Sequence, residues 1–363
     1  MQIEWIIERC NEVLFGMNKG QDPVTSLNIK ELDQNLSEAT RHGMLPVVME
    51  SLSKAKISEP EKKKIVLKWY GASEKSKKNY WKRLDLMEQL ALQFKKEGLD
   101  VMFLKGATTA RLYPEPQLRV FGDIDFYMFG DDKKSIQALK GLGIKTEEYF
   151  NHHTQASFDG VLLENHYDFL DRDNHQGNLL LDDELKRLAV EEGHRYPFLF
   201  DNPDVDNAYM MSPTMNAIFL MRHMAAHFFS ETVALRMLYD WALFQRKYAN
   251  EVDWKKVSEL YKKAGMSKFP GMIQGILNSK LGLTIPECPI EPIYGKEMEG
   301  IWKSIVESPA SNPYQKNSIR FLLFEARMFL DNRWKHRLVF EDESYWFLFF
   351  SYTWQYLRKK IAG

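Results

Sequence analysis

Residues 122–125 read Gly-Asp-Ile-Asp, inside a short apolar segment that runs from Phe121 to Phe129. Successive side chains of a β-strand point to opposite faces, so Asp123 and Asp125 project together while Ile124 and Phe126 turn into a core. Two acids held side by side repel each other, and burying them adds a desolvation cost. A cation between them removes both costs, and hard oxygen ligands of this kind suit Mg²⁺. The chain therefore has to build a strand with one apolar and one acidic face, and to bring positive charge to the acidic one.

The neighbouring sequence supplies the means. Residues 100–104 form a short apolar run, strand-like, that ends at Lys105-Gly106. Residues 107–112 read as a helix opening, Pro114 and Pro116 mark a loop, and the Asp-Ile-Asp strand follows. A glycine turn before a helix offers free N–H groups and the positive end of the helix dipole to a phosphate. Thr108 and Thr109 add hydroxyls there, and Lys105 and Arg119 add charge. Residues 135–142 predict a short helix stopped by Gly143, and residues 154–158 and 161–169 predict two strands joined through Asp159-Gly160, a favourable hairpin pair. On the second of these strands Glu164, His166 and Asp168 alternate and so share a face. Placed on the face of Asp123 and Asp125, Glu164 supplies a third carboxylate, and Asp168 is equally placed to do so. Three acids holding two Mg²⁺ ions would clamp the attacking and leaving oxygens of a phosphoryl transfer, and one of them can act as general base.

Around this unit the pattern is helical. Leu32, Leu36 and Ala39, then Met44, Val47, Val48 and Leu52, recur near helical spacing, with Pro46 where a second helix would begin. Residues 61–96 suit one or two long helices with a lysine-rich, solvated face. Residues 172–212 read as polar and loop-like. Residues 213–248 and 254–265 are helical, and prolines break the remainder into further helices. The expected fold class is α+β: a small mixed-sheet core, residues 98–212, flanked by helical blocks at 1–97 and 213–363. The aromatic segment at 345–357, with Trp346, Phe347, Phe349, Phe350 and Trp354, is expected to pack on that core.

Composition excludes several classes. Formal net charge is −1, from 49 basic and 50 acidic residues, so no global field favours nucleic acid or an anionic membrane. Any polyanion must be met by local basic groups or by metal. Cys10 and Cys288 are too few for a disulfide framework or a cysteine-based zinc site. No stretch reaches the ~18 apolar residues of a membrane span, and the N-terminus lacks the basic start and apolar run of a signal peptide. A cytoplasmic setting is expected.

Taken together, Phe103-Leu104-Lys105-Gly106, Tyr113, Arg119, Gly122-Asp123-Ile124-Asp125 and Glu164-Asn165-His166 resemble the DNA polymerase β-type nucleotidyltransferase superfamily. The likeness is greatest to its uncharacterised bacterial members. Arg41-His42-Gly43-Met44-Leu45-Pro46 and residues 221–244, with His223, His227, Arg236 and Asp240, extend it over about residues 30–265. The resemblance implies a nucleoside triphosphate bound through Mg²⁺, Asp123 and Asp125 as metal ligands, Glu164 as third acid and Gly106 as the phosphate turn. Lys105, Thr108, Arg119, Gly122 and His166 complete the nucleotide-binding set. Arg236 either reaches the triphosphate or pairs with Asp240 four residues on. His223 and His227 lack the Glu of a His-Glu-x-x-His motif, because Met224 stands there, and read as a polar helix face or a wall of the cleft. The expected activity moves a nucleotidyl group to a hydroxyl on a small molecule or a protein, releasing pyrophosphate. The alternative is an inactive nucleotide-binding or regulatory module, because Ala107 replaces the serine that usually follows the turn glycine.

Overall fold

A computed structural model describes residues 2–17, 24–149, 152–172, 175–230, 232–307, 318–341, 343–348 and 350. The acidic segment forms a strand at the centre of a mixed sheet. Its members are β1 (Val101–Phe103), β2 (Ile124–Tyr127), β3 (Thr146–Tyr149), β4 (His153–Phe158), β5 (Val161–His166) and β6 (Ala208–Met210), in the order β3-β4-β5-β2-β1-β6. Strand β2 runs antiparallel to β1 and parallel to β5, and β6 runs parallel to β1. The turn between β4 and β5 has Asp159 at φ 49° and Gly160 at φ 73°, the positive pair a tight hairpin needs. It fixes the register that sets His153 opposite His166 and Gln155 opposite Glu164.

Helices surround the sheet. The N-terminal ones are α1 (Gln2–Phe15), α2 (Ile29–Arg41), α3 (Leu45–Leu52) and α4 (Pro60–Lys96). A capping box of Asn28 and Glu31 starts α2, and proline in the first turn starts both α3 and α4. Residues 61–96 thus lie in one long helix. Within the sheet unit lie α5 (Ala107–Ala110), α6 (Asp132–Gly141) and α7 (Gln176–Glu192). The C-terminal part adds α8 (Pro213–Ser230), α9 (Leu235–Tyr248), α10 (Trp254–Lys263), α11 (Phe269–Lys280), α12 (Lys296–Glu307), α13 (Ile319–Asp331) and α14 (Arg333–Val339).

Three expectations change. Residues 172–212 are not a loop: they hold α7 and β6. Leu181, Leu185, Leu188 and Ala189 of α7 are buried at helical spacing, a pattern masked in the sequence by the Asp182, Asp183 and Glu184 run. Strand β6 gains its identity from pairing with β1, more than a hundred residues away in sequence, and with residues 196–198 on its other edge. The helix after Gly106 is a single turn, so its dipole contributes little to a phosphate site. In the aromatic segment Tyr345 and Leu348 are buried, whereas Trp346, Phe347 and Phe350 are exposed; Phe349 and Trp354 lie outside the described residues.

Apolar packing divides at the sheet. On one face Ile124, Phe126, Leu163 and Val101 meet Met87, Leu90 and Phe94 of α4. On the other, Met102, Leu104 and Tyr127 join α1–α3 and α8–α11 in one continuous core. The two helical blocks therefore merge in space, as in the hydrogen bond from Tyr239 of α9 to Asn11 of α1 at 2.9 Å. Asp125 faces the helical side, where α8 and α9 cover the sheet.

A buried ion pair ties α9 to the loop before β2. Arg119 sets Nε and Nη2 on the two Asp240 oxygens at 2.8 and 2.7 Å, and the Tyr113 hydroxyl adds a bond at 2.9 Å. A fork of this kind fixes orientation as well as charge. Removing one partner leaves the other charge buried without compensation, so Asp240→Ala should cost about 3–5 kcal/mol in urea unfolding. A loss below about 1 kcal/mol would show that the guanidinium regains water and that the pair does not hold the loop.

Candidate active site

The site follows from register. The parallel pairing of β2 and β5 sets Asp125 beside Glu164 and Tyr127 beside His166. Because both strands alternate in phase, Asp125, Glu164 and His166 emerge on one face. Their ligand atoms lie within 4.8 Å of one another. His166 Nε2 stands 3.2 Å from Asp125 Oδ1 and 3.8 Å from Glu164 Oε2. Lys105 arrives from the end of β1, where the antiparallel ladder brings the Leu104 N–H to the Asp125 carbonyl. Its ammonium is 3.2 Å from Asp125 Oδ1 and 3.6 Å from Asp123 Oδ2. Asp123 precedes the strand, its side chain about one-third exposed, and stands outside the tight trio.

Burial and charge act against each other here. Burial alone would raise the Asp125 pKa, but the Lys105 ammonium and a hydrogen bond from His166 hold it well below the usual carboxylate range. Burial would likewise lower the Lys105 pKa, and the charges of Asp125, Asp123 and Glu164 raise it instead. Glu164 takes the opposite course: burial, then the Asp125 charge, push it up to about 7. Burial and the neighbouring His166 bring His152 down to about 3 and His153 to about 4. Asp125 Oδ2 is buried and receives no hydrogen bond while Glu164 is ionised. A buried acceptor left so costs about 1–3 kcal/mol. That orphaned oxygen, beside a second carboxylate, fits a divalent cation.

Two lobes of a cleft meet at Lys105, His223 and His227. The first, of 160 Å³, is lined by Gly106, Phe121, Asp123 and Arg236; the second, of 240 Å³, by His152, Glu164, His166 and Phe219. Gly106 adopts φ 67°, and a Cβ there would come 3.0 Å from the Phe121 ring, so both conformation and space call for glycine. Arg236 donates to the Val120 carbonyl at 2.7 Å and borders the first lobe. It does not pair with Asp240, which Arg119 occupies.

Other expected residues have partners of their own. Arg119 borders the first lobe and donates to Asp240 and, at 3.1 Å, to the Gly106 carbonyl, so it braces the turn. The Thr108 hydroxyl donates to the Leu104 carbonyl, and Thr108 lines a different cavity, with Tyr196 and Met211. It does not replace the missing serine. Gly122 is exposed, with room for a side chain, and its carbonyl accepts from Arg83 at 2.7 Å. Asp168 lies past the end of β5, ion-paired with Lys186, and leaves Glu164 as the acid beside Asp125.

Other contributors were not foreseen. His42 caps α9, its Nδ1 accepting from the Leu235 N–H at 3.2 Å and its carbonyl from the Arg236 N–H at 3.3 Å. Gly43, at φ 69°, lies where a Cβ would meet Arg236 Cδ at 3.1 Å. Their signal was the His-Gly pair in a conspicuous run; their partner, almost two hundred residues on, had none.

The profile of the uncharacterised nucleotidyltransferase family matches residues 30–279, more than half of the 363-residue chain. The chain belongs to that family. The matched span holds every site residue named above, from His42 to Asp240. No curated protein and no solved structure matches the chain. Among the described residues no helix is long and apolar enough to cross a membrane. Membership makes an enzyme of the nucleotidyltransferase class the expectation for this cleft.

The Glu164 shift has a definite sign. An acid whose folded pKa lies above its unfolded value of 4.5 adds stability that is complete below pH 4.5 and lost as pH rises through about 7. In metal-free protein the infrared C=O stretch of a protonated carboxyl should persist at pH 6, fade near pH 7 and be missing from Glu164→Gln. A band equally strong in that variant would assign the proton to another group.

Proposed function

We propose that the protein is a Mg²⁺-dependent nucleotidyltransferase that moves a nucleotidyl group from a nucleoside triphosphate to a hydroxyl acceptor. The observation that carries this reading is the Asp125–Glu164 pair, set side by side on the cleft face with a buried oxygen lacking a donor. Family membership supports the same class.

In this reading Asp125, Glu164 and Asp123 hold the cation. When bound, it offsets charge on the triphosphate and the charge that develops in the transition state. Lys105, released from the acids, turns to the phosphates, and Arg236 meets them from the α9 side of the first lobe. The bend at Gly106 allows backbone to approach a phosphate oxygen without a side chain between. His166 orients Asp125 through the 3.2 Å contact. The acceptor enters by the second lobe, so that its hydroxyl oxygen bonds to the α-phosphorus while the bond from that phosphorus to the bridging oxygen breaks and pyrophosphate leaves. The hydroxyl proton passes to a carboxylate at the edge of the site. The acceptor is a small molecule or a protein side chain; the near-neutral net charge disfavours a nucleic acid.

A second reading is a nucleotide-binding module of the same fold without transfer. Ala107, and a Thr108 hydroxyl turned away to Leu104, favour it. Pyrophosphate release with each of ATP, CTP, GTP and UTP in the presence of Mg²⁺ decides between the two. Release is expected with at least one triphosphate; Asp125→Asn should lower kcat by roughly 10³, and Arg236→Gln should act mainly on KM. Binding without release would favour the module, and unchanged turnover in both Asp123→Ala and Asp125→Ala would remove the proposal.

A further inference from the structure

Beside the acids stands a group of three imidazoles, of which nucleotidyl transfer uses only His166. His152, His153 and His166 each place a ring nitrogen within 4.8 Å of the other two. The hairpin register brings them together, since His153 lies opposite His166 and His152 immediately precedes β4. Their ring centroids are 4.5 Å apart for His152 and His153, and 5.3 Å from each of these to His166. Three imidazoles bound to one tetrahedral zinc at metal–nitrogen distances of about 2.0–2.1 Å would stand roughly 5 Å apart, centroid to centroid. The rings therefore already hold nearly the separation that ligation requires.

A second observation points the same way. His152 Nδ1 is buried and has no hydrogen-bond partner among the described residues. Burying an imidazole nitrogen without a partner carries an uncompensated desolvation cost, which a bound metal would remove. His152 and His166 line the second lobe of the cleft, which gives an ion a way in and leaves room for a water or carboxylate as fourth ligand. Two carboxylates stand close by, Asp125 at 3.2 Å from His166 Nε2 and Glu164 at 3.6 Å from His153 Nε2. A set of three nitrogens suits zinc, cobalt, nickel or copper and discriminates against Mg²⁺, which demands oxygen.

We propose that His152, His153 and His166 form a site for a zinc-class transition-metal ion, separate from the carboxylate site and open to the second lobe. This does not depend on nucleotidyl transfer, and it would hold equally for a module that only binds nucleotide. The two sites meet at His166, whose Nε2 also contacts Asp125. Zinc would therefore draw His166 from the aspartate it orients.

The test uses the full chain, stripped of metal with chelator and titrated with Co²⁺. We expect the intense visible band of a four-coordinate, nitrogen-ligated cobalt ion at one equivalent, abolished by one equivalent of Zn²⁺ and unaffected by excess Mg²⁺. His152→Ala and His153→Ala should each weaken Zn²⁺ binding at least ~10-fold, the lower end of what even outer-shell changes cost. Asp125→Asn should retain the band. A weak, six-coordinate cobalt spectrum in the unmodified chain would overturn the proposal, and that measurement needs no variant to fold. A band lost in Asp125→Asn but kept in both histidine variants would place the ion on the acids and overturn it too.

Discussion

An ammonium group pressed against carboxylates is what allows acids to sit at the centre of this sheet. The parallel ladder leaves no freedom in the matter: whatever follows Ile124 must stand beside whatever follows Leu163, and both are acids. Like charges so close, and largely withdrawn from water, cannot both remain ionised without help. Lys105 provides part of it, reaching Asp125 and Asp123 from the end of the neighbouring strand. Proton uptake on Glu164, whose pKa burial and the Asp125 charge push up to about 7, meets the remainder below that pH. The protein on its own thus balances one lysine, one proton and several carboxylates, and a divalent cation would replace the proton with a stronger counter-charge.

The rest of the fold holds that balance in place. The apolar face of β2 is fastened to α4 through Phe126 and Phe94, whose rings stand 5.6 Å apart. The acidic face is covered by α8 and α9, which bring His223, His227 and Arg236 to the cleft. Arg119 and Asp240 join these layers, and Arg119 also fixes the Gly106 carbonyl, so the bend beneath the first lobe is braced from α9. A buried charge pair is a poor source of net stability when weighed against apolar packing, but it strongly specifies geometry. Geometry is what a site with such close charges needs.

Much of this was legible in the residues. The alternation Asp-Ile-Asp puts Asp123 and Asp125 on one face, and the later Glu-Asn-His puts Glu164 and His166 on one face, because strand periodicity is local; that the two faces coincide follows from the β2–β5 pairing. Helices with clear apolar periods were also readable, as in α2 and α3. What escaped was non-local or disguised. Strand β6 depends on its distant partner β1, and α7 hides its apolar stripe behind acids. The Arg119–Asp240 pair was hidden because nothing near Arg119 in sequence shows a buried aspartate 121 residues later. Thr108 looked like a substitute for serine, but a hydroxyl one turn from a free carbonyl bonds locally when it can. His152 and His153 carried no pattern beyond adjacency, and their place beside the acids depends wholly on hairpin register.

The contact between Gly43 and Arg236 has a reach beyond its size. The loop after α2 supplies both the cap that starts α9 and the empty space into which the arginine stem fits. The wall of the first lobe is therefore shaped from the far end of the chain, by a loop that braces the arginine without lining the cleft itself. The two positions are coupled: a side chain at 43 would press on the stem of Arg236 and shift the wall of the lobe that it borders.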